Sequence, residues 1–116
     1  MMNDLIKMVS TAVELEQIDA QQVHGDLHSK NEGYGVLAEE VEEVLEQIHI
    51  IEDYTGSLVR VIRYNLRELK GDLKKIKRAA VLAACECIQV ASVAQRFIDL
   101  IDKEGIDEGV HDCVSG

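Results

Sequence analysis

The sequence predicts an all-α chain: a bundle of four to five helices that self-associates through one long apolar helix. Three observations predict it. There is no proline in 116 residues, and 47% of them are hydrophobic, so long helices run uninterrupted and a core can form. Only 3% are aromatic, which leaves Leu, Ile, Val and Ala to build that core. Apolar residues recur at spacings of three and four through most of the chain, the period of an amphipathic helix. The length suits one domain, placed at residues 1–103, followed by an acidic, flexible tail at 104–116 where periodicity is lost.

Asn3 or Asp4 is placed to cap a first helix. Its apolar set Leu5, Ile6, Met8, Val9, Ala12, Val13 and Leu15 carries it to about Glu16–Gln22. Val23 to Lys30 reads as a loop, with Gly25, Asp26, His28 and Ser29 as turn or cap residues. His24 and His28 would share a metal-binding face only in a helix, and Gly25 and Asp26 between them oppose one. Ser29 with Glu32 matches the S-x-x-E capping box and opens a second helix, about Asn31 to Glu52. Gly33 and Gly35 weaken its first turns and suit either a ligand-facing end or close helix packing.

Asp53-Tyr54-Thr55-Gly56 reads as a turn, with Thr55 or Ser57 capping the next helix. Leu58, Val61, Ile62, Leu66 and Leu69 form that helix's stripe. Gly71-Asp72 either separates it from a final helix or kinks one continuous helix, and separate helices are the first choice. The final helix spans about Asp72 to Lys103, with Gly105 beyond its end. From Ala79 to Ile101 it is apolar nearly all round, the mark of a helix buried in a bundle or an oligomer interface, with Val90, Phe97 and Ile98 as core. Its length raises a membrane span, but Glu86, Gln89, Gln95 and Arg96 within it argue against one.

The formal net charge is −10, from 22 acidic and 12 basic residues. That argues against a nucleic-acid polymer or an anionic membrane as partner, because neutralising phosphates takes clustered Lys and Arg. The basic residues that do cluster, Lys70, Lys74, Lys75, Lys77 and Arg78, read first as a solvated helix face. One or two of them, Lys75 and Arg78, are candidates to face a phosphate. The cysteines are Cys85, Cys87 and Cys113. Cys85 and Cys87 point about 200° apart on a helix and cannot pair. An odd count, and an amphipathic N-terminus that is neither a secretory nor a transit segment, predict buried thiols and a cytoplasmic location.

The run Glu39-Glu40-Val41-Glu42-Glu43 carries the chemistry. With Val36 at zero on a helical wheel, the apolar residues Val36 to Ile48 centre near about 90–100°. Glu40 falls near about 40° and Glu43 near about 340°, bordering that stripe, while Glu39, Glu42 and Glu46 lie on the far side in water. Glu40 and Glu43 are an i,i+3 pair able to point together at a hard cation. Glu86 and Gln89, also i,i+3, stand inside the apolar final helix. A carboxylate there is costly unless it is paired, protonated or metal-bound, with Arg78 or Arg96 as the plain alternative partners. Carboxylates on two helices suit magnesium or manganese and a phosphate ester held through the cation, cleaved by an activated water. No P-loop, G-x-G-x-x-G, G-x-S-x-G or H-E-x-x-H is present.

The run Ser29 to Glu43, with Glu32-Gly33-Tyr34 ahead of E-E-x-x-E, resembles the MazG-like all-α nucleoside triphosphate pyrophosphohydrolases. The run Glu86 to Phe97 is similar to their second motif helix. The resemblance implies a dimer or tetramer. It also implies magnesium-dependent hydrolysis of a (deoxy)nucleoside triphosphate to monophosphate and pyrophosphate. On the family's pattern Glu40, Glu43 and Glu86 are metal ligands, with Glu39 alongside as the candidate base. Gln89 stands at the last ligand position, where the family has Asp: an amide oxygen still ligates, with one charge fewer. The segment between the motifs is longer than is common in the family. Tyr34, Lys75 and Arg78 are candidate substrate contacts. Two alternatives stay open: a MazG-fold nucleotide or metal binder with weakened or lost catalysis, and a helical interaction protein.

Overall fold

The computed structural model describes residues 1–105, and all of its regular structure is helical: α1 (Met2–His24), α2 (Lys30–Tyr64) and α3 (Leu66–Lys103). The all-α expectation holds. The four- to five-helix count does not: among the described residues there are three helices, because both internal breaks expected from turn residues are absent.

At Asp53–Gly56 the helix runs on. Ser57 Oγ, expected as a cap, donates instead to the Tyr54 carbonyl at 3.1 Å inside α2, so its hydroxyl is satisfied without a break. A glycine in a helix interior costs about 1 kcal/mol relative to alanine, too little for Gly56 or Gly71 to stop a helix of this length. Gly71 lies within continuous α3, the second of the two readings. The break falls at Asn65. Its N–H donates to the Val61 carbonyl at 2.9 Å, closing α2, and its carbonyl accepts from Glu68 N–H at 3.0 Å, opening α3.

Other ends were legible. α1 starts at Met2 with no side-chain cap, so neither Asn3 nor Asp4 serves as one, and Gly25 ends it at φ +72°. The Ser29 cap forms, Glu32 N–H donating to Ser29 Oγ at 3.1 Å, while the return bond to Glu32 Oε1 comes from His28 N–H at 3.1 Å, one residue before the cap. Because residues 25–29 are a loop, His24 and His28 share no helix face. Gly105, at φ +75°, follows the end of α3. The tail expectation beyond Gly105, with His111 and Cys113, lies outside the described residues.

The chain divides into two compact units: Met1–Ala38 with the chain from Ile88 onward, and Glu39–Cys87. In the first, Leu27, Val93 and Leu100 are buried. Arg96 Nη2 donates to the Gly25 carbonyl at 2.9 Å, tying the 25–29 loop to α3. Gly33 lies against the Phe97 ring: a Cβ on Gly33 would sit 2.8 Å from Phe97 Cδ2 and Cε2. Close packing, not a ligand, accounts for this glycine.

Ser92 is 2% exposed and its hydroxyl has no hydrogen-bond partner among the described residues. An unsatisfied buried hydroxyl costs about 1–3 kcal/mol. Ser92→Ala is therefore expected to raise stability by about 1 kcal/mol in urea unfolding, and a loss of stability would show that the hydroxyl is bonded.

In the second unit, α2 and α3 fold back on each other about Asn65, burying Val61, Ala79 and Ala83. Two helices cover only one face of each other. Val41, Leu45, Ile48 and Val81 stay exposed, and so do Cys85 and Cys87, contrary to the expectation of buried thiols. In the first unit Ile98, expected in the core, is 49% exposed. By length and hydropathy α3 meets the measure of a membrane span, at mean hydropathy 1.4.

Candidate metal centre

Glu40 and Glu43 lie one turn apart on α2, on the side that meets Glu86, as their i,i+3 spacing allows. Glu86 comes from α3. One carboxylate oxygen from each of Glu40, Glu43 and Glu86 lies within 4.8 Å of the other two. Glu40 and Glu86 are half-buried and Glu43 is exposed.

Three carboxylates this close repel. The pKa of Glu86 is raised above its ordinary 4.5, first by a hydrogen bond shared with Glu43, then by burial, then by the charges of Glu43, Glu40 and Glu46. A proton or a cation relieves that repulsion. The donor set fits a hard divalent ion: bonds of about 2.1 Å to magnesium place ligand oxygens no more than about 4.2 Å apart, a small side-chain adjustment from the observed spacing.

The raised pKa sets a pH dependence. Without divalent ions, the folded chain binds a proton at Glu86 more tightly than the unfolded chain does. Stability therefore rises as pH falls through the raised folded value toward 4.5, and declines as pH climbs above it. Melting temperatures in EDTA across that window are expected to show this slope in the wild type. Glu86→Gln is expected to flatten it and to be the more stable protein on the alkaline side. Identical profiles would mean that Glu86 is unperturbed.

The other sequence candidates fall elsewhere. Glu39 belongs to the same unit but is exposed and stands outside the three-carboxylate group. Gln89, half-buried on α3, and Tyr34, 71% exposed on α2, belong to the other unit. Arg96, considered as a partner for Glu86, serves Gly25 instead.

Lys75 and Arg78 line an open cavity of about 340 Å³ with Gln47, Ile50, Tyr54, Ala79 and Leu82. The Lys75 ammonium lies 5.1 Å from the Tyr54 ring centroid, a cation–π distance. Its pKa is raised, first by a hydrogen bond to the Tyr54 side chain and then by that side chain's charge, with Asp72 and Glu68 adding. Tyr54, Gln47, Ile50 and Leu82 were missed from the sequence. Tyr54 read as a turn residue, and its place on a continuous helix opposite Lys75 is visible only in the fold. Comparison with protein families, with curated proteins and with solved structures found no match to this chain.

Proposed function

We propose that the chain is a magnesium-dependent hydrolase of (deoxy)nucleoside triphosphates, releasing monophosphate and pyrophosphate, with manganese able to replace magnesium. The observation that carries this reading is the meeting of Glu40, Glu43 and Glu86 from two helices. Helical repulsion alone gives such residues no reason to converge. The resemblance of the motif runs to the MazG-like pyrophosphohydrolases supports the same reading.

Glu40, Glu43 and Glu86 would hold the ion. When bound, the ion would lower the pKa of a coordinated water and neutralise phosphate charge. The chain's own part is to keep the three carboxylates converging, Glu40 and Glu86 half-buried and Glu43 open to solvent. Glu39, exposed beside Glu40, is the candidate acceptor for the water's proton.

The test is pyrophosphate release from a panel of NTPs and dNTPs, with magnesium and then manganese. No release from any of them would sink the activity. Gln89, where a charged ligand is expected, favours the second reading: a nucleotide or metal binder that no longer hydrolyses. Gln89→Asp would then create or raise turnover.

The reading includes a cytoplasmic homo-oligomer, a dimer or tetramer. No residue of α1 is buried, and Leu5, Ile6, Met8, Val9, Leu15 and Ile18 stand exposed along it. Such a face favours a second copy. Sedimentation equilibrium giving a monomer at all concentrations would remove this part.

A further inference from the structure

The cavity lined by Lys75 and Arg78 lies further along the faces of α2 and α3 that carry the carboxylates. Gln47 follows Glu43 by one helical turn, and Leu82 precedes Glu86 by one turn. Tyr54 and Lys75 lie further along, about 16 Å from Glu43 and Glu86 at 1.5 Å per residue. The order along these faces is therefore carboxylates, then an apolar wall of Leu82, Ile50 and Ala79 with the Gln47 amide, then Tyr54 with two cations.

The far end is unlike the rest of the molecule. In a chain of net charge −10, two cations converge on one cavity and no carboxylate lines it. Asp72 and Glu68, on α3 with Lys75, act on its ammonium through space. Tyr54, on α2, holds that ammonium. The volume is that of a small-molecule site, and an apolar wall with a few polar groups at one end is the usual make-up of one.

The geometry points to a second binding site here, for a phosphate-bearing aromatic compound the size of a nucleoside monophosphate. Its phosphate meets Lys75 and Arg78, and its ring lies on Ile50, Ala79 and Leu82. The phosphate end faces away from the carboxylates, so the site needs no divalent ion. It goes beyond the hydrolase reading and stands without it.

The experiment is binding of AMP, CMP, GMP and UMP to the full chain in EDTA, followed by amide and side-chain NMR shifts. Shifts centred on Gln47, Ile50, Tyr54, Lys75, Arg78 and Leu82 are expected for at least one of them. Lys75→Gln is expected to weaken that binding about tenfold, the worth of one charge-assisted hydrogen bond, and Lys75→Arg to restore most of it. Both variants change an exposed side chain, and unchanged circular dichroism checks the fold.

Absence of binding, or equal affinity for inorganic phosphate, would overturn the site. Shifts centred on Glu43 and Glu86, or wild-type binding by Lys75→Gln, would overturn it equally. Because the measurement is made in EDTA and reads no turnover, its failure leaves the pyrophosphate-release test untouched. Failure of that test leaves this one intact.

Discussion

Glu40→Gln is expected to lower pyrophosphate release about 100-fold or more at a magnesium concentration that just saturates the wild type. Loss of a group that merely orients a metal ligand already costs about 10–100-fold, and Glu40 is proposed as a ligand itself. The substitution keeps the shape of the side chain and removes one of three converging negative charges. Helix content by circular dichroism should be unchanged. Raising the metal concentration, or exchanging magnesium for manganese, should recover part of the rate, because affinity is the quantity lost. Full activity in the variant would remove the three-carboxylate group from the chemistry, whatever the chain hydrolyses. Glu39→Gln makes a useful contrast: if Glu39 accepts the water's proton, its loss lowers the rate without changing the magnesium dependence.

The largest expected loss of stability is at Gly33. A Cβ at this position meets the Phe97 ring at 2.8 Å, closer than carbon atoms pack. Gly33→Ala sets two effects of similar size against each other: overpacking costs about 1–3 kcal/mol, and exchanging glycine for alanine in a helix returns about 1 kcal/mol. Gly33→Val settles the balance, since its two methyl groups add volume and its helix propensity is poorer. A loss of about 2–3 kcal/mol is expected, or a fall of about 10 °C or more in melting temperature. Gly35, two positions on, has open space where a Cβ would go, and Gly35→Ala should gain about 0.5–1 kcal/mol. Opposite signs at two glycines of one helix turn would identify steric contact as the cause. Phe97→Ala in the Gly33→Val background should recover part of the loss, because the two sites share one contact. Equal effects at both glycines would discard the packing account.

The sequence located the candidate site better than it located the helix ends. Glu40 and Glu43 share one side of α2 as their i,i+3 spacing requires, and Glu86 needed only the cost of a carboxylate in an apolar run to be singled out. The exposed position of Glu39 was also legible. The cavity at Tyr54 was not, because its residues lie far apart in the chain and share no motif. Turn residues misled at Asp53–Gly56 and at Gly71, where weak local preferences opposed a helix already favoured by its neighbours on both sides.

By itself, the sequence determined the helical class, the loop from Gly25 to Ser29 with its Ser29 cap, the end of α3, and which face of the second helix carries the acidic pair. These are local properties: backbone preference, side-chain capping and a period of 3.6 residues act within a few positions. Only the tertiary structure decided that Asn65 is where the chain turns back, that Gly33 receives Phe97, that three carboxylates meet, and that Tyr54 faces Lys75. Each of these depends on the register between two helices, which side-chain volume and packing set across the fold, and which no short stretch of sequence encodes.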